Sequence, residues 1–242
     1  MPSRVESVEV PGGSFDLPVW LPADGTGPGL LLIQEIYGIS DYIRAVAEDL
    51  AGLGYVVAAP DLFWRLEPGF DAKHDEEGLA RSLEMGQRFD VEQGVADSVA
   101  ALAHLRKLLE VEGGVGIIGF CLGGMVAYFV AGQTEVAALV SYYGSGVEDS
   151  LEILERISAP VQFQYGGSDQ YIPRDHVARV EAAAAGKPNV EVHVEEDAGH
   201  AFHNRKNPMF HMPEPAARAW QRTEEFLHRH LPTRHDVDTS AP

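Results

Sequence analysis

Cysteine is almost missing from this chain of 242 residues: Cys121 is the single one. No intrachain disulfide can form, which points to a reducing, cytoplasmic setting with the thiol kept available. Basic residues are also scarce, with 18 Lys and Arg against 37 Asp and Glu and a formal charge of −19. That field repels phosphate backbones and anionic lipids, so neither nucleic acid nor membrane is expected as a partner. An anionic small molecule would have to be captured by a local basic cluster. No apolar run reaches the roughly eighteen residues of a membrane span. The opening Met1-Pro2-Ser3-Arg4-Val5-Glu6 is not patterned as a signal peptide. The glycines from Gly116 to Gly124 do not spell G-x-G-x-x-G and come too late for an opening dinucleotide-binding unit. No cofactor is called for, and there is no internal repeat.

What is present reads as alternating strands and helices. Val5 to Val10 and Phe15 to Leu21 suggest an opening antiparallel pair. Apolar runs at Leu30 to Ile33, Tyr55 to Ala59, Val115 to Ile118, Val136 to Tyr142 and Val161 to Tyr165, and an alternating one at Val190 to Glu195, supply further strands. Ile43 to Leu53, Val91 to Glu110, Leu122 to Ala131, Arg174 to Ala185 and Glu214 to His230 have helical patterning. This predicts one α/β domain over residues 1–231, with a mostly parallel sheet covered by helices on both faces. The acidic, partly helical segment 63–89 is expected to form a lid, and the polar tail 232–242 is expected to be disordered.

Cys121 lies in Gly119-Phe120-Cys121-Leu122-Gly123, at the junction of a predicted strand and helix. This is the G-x-S-x-G elbow with sulfur in place of oxygen. The glycines on either side relieve a strained turn, and the helix N-terminus favours negative charge on the projecting sulfur. A lone cysteine can equally be a small buried hydrophobe, so the partners decide. Asp169 follows a predicted strand in Gly166-Gly167-Ser168-Asp169, and His200 follows another in Asp197-Ala198-Gly199-His200. Separately, each has an ordinary reading: Asp169 as a turn residue, His200 as one of ten histidines. Together they give nucleophile, acid and base in the chain order of the α/β-hydrolase fold. An alternative metal cluster of Asp197, His200 and His203 lacks the spacing of known zinc motifs.

The loop Gln34-Glu35-Ile36-Tyr37-Gly38 after the third strand is placed to help form an oxyanion hole, with the Ile36 and Leu122 N–H groups as donors. Glu35 is either a surface carboxylate or a group that accepts a hydrogen bond or proton from the Cys121 thiol, keeping it neutral until substrate arrives.

These stretches, with Tyr55-Val56-Val57-Ala58-Ala59-Pro60-Asp61-Leu62-Phe63 and Ala198-Gly199-His200-Ala201-Phe202, resemble the dienelactone hydrolase (carboxymethylenebutenolidase) family over residues 5–231. The resemblance implies an α/β-hydrolase fold and a Cys121–His200–Asp169 triad. It also implies a gating role for Glu35 and a small lactone or ester as substrate. Members that bind a substrate carboxylate use arginines, one of them four residues after the histidine, where this chain has Asn204. Arg81 and Arg205 are the candidates to replace them, while Leu83 and Gly86 stand at positions the family fills with aromatics. The expected activity is cysteine-dependent lactone or ester hydrolysis. Alternatives are a thioesterase or peptidase with the same triad, or a non-catalytic ligand-binding member of the fold.

Overall fold

The computed structural model describes residues 1–234 and 236. Two strands, β1 (Arg4–Val10) and β2 (Gly13–Trp20), form an antiparallel hairpin with Arg4 opposite Val19 and Val10 opposite Gly13. The short β4 (Val56–Ala58) continues antiparallel to β2. Beyond it, β3 (Gly27–Ile33), β5 (Val111–Phe120), β6 (Leu139–Tyr142), β7 (Val161–Gly166) and β8 (Val190–Glu195) run parallel. The order across the sheet is β1-β2-β4-β3-β5-β6-β7-β8. Leu30, Leu31, Leu32 and Ile33 are all fully buried. Successive side chains on a strand point to opposite faces, so both faces of the sheet are covered.

The helices are α1 (Asp41–Gly52), α2 (Glu76–Arg88), α3 (Val91–Leu105), α4 (Leu122–Ala131), α5 (Arg174–Ala184) and α6 (Pro213–His230). α3 stops short of Glu110, because the Lys107 and Leu108 N–H groups turn back to the His104 and Leu105 carbonyls. β5 correspondingly starts four residues earlier than its apolar run suggests, with Val111 opposite Gly27. The glycines at 113 and 114 hide that extension from any apolar pattern. β6 is shorter than its run, beginning at Leu139.

Segment 63–89 contains α2, whose N-cap Asp75 accepts a hydrogen bond from the Gly78 N–H at 2.8 Å. It is seated on a small apolar cluster of Tyr37, Phe63, Phe70, Ala72 and Met85, separate from the main core. Thr233 is buried, and its N–H and hydroxyl both donate to Asp236. The rest of the polar tail, 235 and 237–242, lies outside the described residues. Among the described residues no helix is long and apolar enough to cross a membrane.

Parallel strands bring their C-terminal ends to one edge of the sheet. Glu35 follows β3, Cys121 follows β5, Asp169 follows β7 and His200 follows β8. Residues far apart in sequence therefore meet over that edge, the usual site of function in open α/β sheets.

Candidate active site

The turn from β5 into α4 holds Cys121 at φ 54°, ψ −118°, outside the regions an L-residue prefers. Such a conformation costs on the order of 1–3 kcal/mol and persists only where its surroundings impose it. Here the Cys121 N–H donates to the Tyr142 carbonyl at 3.0 Å, while its own carbonyl accepts from Gly124 and Met125 at 2.9 and 3.2 Å. A Cβ on Gly119 would collide with the Gly123 carbonyl, and one on Gly123 with the Ile33 carbonyl. Both glycines are thus required by close backbone approach, and the cysteine is left projecting from the tip.

His200 Nε2 lies 3.1 Å from Cys121 Sγ, and His200 Nδ1 lies 2.7 Å from Asp169 Oδ2. The other carboxylate oxygen of Asp169 accepts from the Tyr171 and Ile172 N–H groups at 2.7 and 3.1 Å, so the acid cannot swing away freely. Tyr143 and Tyr171 pack against the imidazole, each with its ring centre 5.1 Å away. Burial opposes charge on His200, but the sulfur and the Asp169 carboxylate outweigh it and raise the pKa to about 10. His200 is accordingly held as imidazolium. Leu122 opens α4, where an N–H has no acceptor in its own helix. Among the described residues neither its N–H nor that of Ile36 makes a hydrogen bond, so both donors are unspent.

Glu35 is buried and borders the same cavity as Cys121 and His200. Its expected contact with the thiol is not the one formed. Glu35 Oε1 instead accepts from Asn204 Nδ2 at 2.7 Å and faces His74 Nε2 at 3.2 Å. The sulfur has His200 as its partner, and the carboxylate sits in a separate polar clamp. Burial and the Glu35 charge push the neighbouring Tyr37 hydroxyl up to about 12, so it stays protonated.

The two arginines expected at the substrate are directed elsewhere. Arg81 pairs with Glu67 at 3.0 Å, with its guanidinium 5.3 Å from the centre of the Phe70 ring. Arg205 pairs with Asp49 at 2.6 Å. Neither lines the cavity beside Cys121, which is walled by Ile36, Leu79, Leu83, Tyr171, Ala201 and Phe210. Helical geometry accounts for Arg81: Leu79 and Leu83, four apart, share a face of α2, and the residue midway between them points away.

His203 does not converge with His200 on a metal site. Its Nδ1 is hydrogen-bonded to the Tyr42 hydroxyl at 2.7 Å, and its ring is stacked between Phe120 and Trp220. Among the described residues no three His, Cys, Asp or Glu side chains group as a metal would need. Burial, helped by Arg205 and His211, lowers the His203 pKa to about 3. The unfolded chain, with histidine near its usual 6.5, therefore binds a proton that the folded chain refuses between those two values. Stability should fall on acidification by up to about 1.4 kcal/mol per pH unit below roughly 6.5. Thermal melts from pH 7 to pH 4 check this, with the slope expected to weaken in His203→Gln.

His74 and the Asn204 amide are the site residues that sequence reasoning missed. His74 sits in the acidic segment ahead of α2 with no motif around it. Asn204 carried one signal, its position four residues after His200, but that marked only a missing arginine and not a partner for Glu35.

The model of the dienelactone hydrolase family matches residues 15–231. A carboxymethylenebutenolidase of Pseudomonas sp. strain P51 is 37% identical over 222 residues, covering 91% of this chain and 92% of that one. Another, from Pseudomonas putida, is 33% identical over 217 residues, covering 89% and 92%. Among solved structures, a candidate dienelactone hydrolase from Klebsiella pneumoniae superposes with a TM-score of 0.80 at 26% identity, over 93% of this chain and 98% of that one. With its α/β-hydrolase sheet and its near full-length match, this chain belongs to the dienelactone hydrolase family.

Proposed function

We propose that the protein hydrolyses a lactone or small ester through an acyl-enzyme on Cys121. The observation that carries this reading is the line of contacts from Cys121 Sγ to His200 Nε2 and from His200 Nδ1 to Asp169, opening into a cavity. The sulfur attacks the carbonyl carbon, and the oxyanion that forms takes the Ile36 and Leu122 N–H groups. Collapse breaks the ring or ester C–O bond, and His200 gives its proton to the leaving oxygen. Neutral His200 then removes a proton from water, the hydroxide attacks the thioester, and the carboxylic acid leaves as the thiolate–imidazolium pair is restored. Asp169 keeps the imidazole in the tautomer and orientation both steps need. A lone, unpaired thiol of this kind suits a reducing, cytoplasmic environment.

Quenching turnover of a slow aryl ester and mapping the adduct tests the reading. The acyl mass is expected on the peptide containing Cys121, together with a burst of released phenol. Steady turnover with no adduct and no burst would reject a covalent route.

Glu35 is assigned a modulating role. Its carboxylate lies close enough to the sulfur's cavity to oppose negative charge there, and Asn204 and His74 keep it occupied elsewhere. Asn204→Leu is expected to free Glu35 toward the thiol, slowing both iodoacetamide labelling of Cys121 at pH 7 and hydrolysis by about tenfold, the scale of one charge-assisted hydrogen bond. Adding Glu35→Gln to that variant should restore labelling. Unchanged labelling in Asn204→Leu would reduce Glu35 to a loop residue.

A further inference from the structure

The cavity beside Cys121 has a volume of about 170 Å³. Leu79 and Leu83 on one face of α2, with Ile36, Ala201 and Phe210, make its wall mainly apolar. Among the described residues no lysine or arginine lines it. Among the described residues that line it, Glu35 is the carboxylate, with the same sign as a substrate carboxylate. Glu35 is already engaged by the Asn204 amide at 2.7 Å and by His74 Nε2 at 3.2 Å. Arg81 and Arg205 are held outward by Glu67 and Asp49. The formal charge of −19 adds long-range repulsion of anions.

A carboxylate brought into this cavity would be stripped of water, would face Glu35 and would meet no cation from lysine or arginine. An uncharged ring would lose only its contact with water and gain the apolar wall. We infer that this chain selects uncharged lactones or esters and rejects their carboxylate-bearing counterparts. The discrimination is set by the apolar face of α2. The inference rests on the hydrolytic reading above.

The test compares two unsaturated five-membered lactones that differ only in a free carboxylate or a methyl group at the same position, using the full chain. The kcat/KM for the methyl compound is expected to exceed that for the carboxylate by about ten- to a hundredfold, the scale of an unrelieved like-charge contact. The gap should persist at about 0.5 M salt, where long-range repulsion is screened. Arg81→Ala and Arg205→Ala should leave both rates within about twofold of wild type, being less than the loss of any direct charge contact. Leu83 is 43% exposed at the rim, so Leu83→Arg tolerates a long polar side chain; it should narrow the gap about tenfold, the effect of one charge-assisted contact.

Equal or better turnover of the carboxylate by wild type would overturn the inference while leaving the hydrolytic reading in place. So would a loss confined to the carboxylate in either arginine variant, or an unchanged ratio in Leu83→Arg. Hydrolysis of neither lactone, or equal hydrolysis by Cys121→Ala, would overturn the hydrolytic reading and this inference with it.

Discussion

Cys121→Ala is expected to lower hydrolysis by at least about 10⁴-fold while leaving the protein folded. Removing the nucleophile from a working triad takes away nearly everything beyond the background supplied by binding and the oxyanion donors. Stability has little to lose. The side chain is small and half-buried, and the strained backbone at φ 54° is imposed by hydrogen bonds to the main chain and by the flanking glycines, all of which remain. The melting temperature should move by only a few degrees, as a change of about 1 kcal/mol does in a domain of this size. Measured turnover within tenfold of wild type, in a variant whose circular dichroism is unchanged, would remove Cys121 from the mechanism.

Asp169→Asn should cost about 10³- to 10⁴-fold in kcat, with KM little altered. The carbonyl oxygen of the new side-chain amide could still accept from the Tyr171 and Ile172 N–H groups, so the loop should survive. The NH₂ of that amide would face His200 Nδ1, favouring the tautomer with the proton on Nε2, which cannot take a proton from water. The pH profile supplies a second readout. His200 is held protonated up to about pH 10, against burial, by the sulfur and the Asp169 carboxylate. As pH rises through that value the imidazolium is lost, and with it the proton for the leaving oxygen. Acylation should therefore fall on the alkaline side near pH 10 in the wild type. Without the carboxylate the same fall should come at lower pH, because one of the groups favouring the charged ring is gone. An alkaline limb that stays in place would show that Asp169 does not govern the His200 proton.

Much of the fold was legible because its signals are local. The unbroken apolar run Leu30 to Ile33 requires a strand covered on both faces, and it is found fully buried. The extension of β5 back to Val111 was not legible, since two glycines carry no apolar signal and the pairing with Gly27 is a long-range event. The short 3-10 turns at Val147–Asp149 and Leu151–Arg156 were equally silent. The helical part of segment 63–89 showed itself in outline, but its seating on Tyr37, Phe63 and Phe70 did not, because that cluster assembles from separate loops.

By itself the sequence determined where a nucleophile, an acid and a base could stand. The elbow is written into five consecutive residues whose glycines answer to steric limits of the backbone, and the order of strand ends follows from chain connectivity. Only the tertiary structure decided which side chains Glu35, Arg81 and Arg205 would meet. Glu35 finds its partners 39 and 169 residues away, and the arginines find Glu67 and Asp49 on neighbouring surfaces. Long charged side chains have many conformers and choose among them by whichever opposite charge the packed elements bring within reach, and that choice leaves no local mark on the chain.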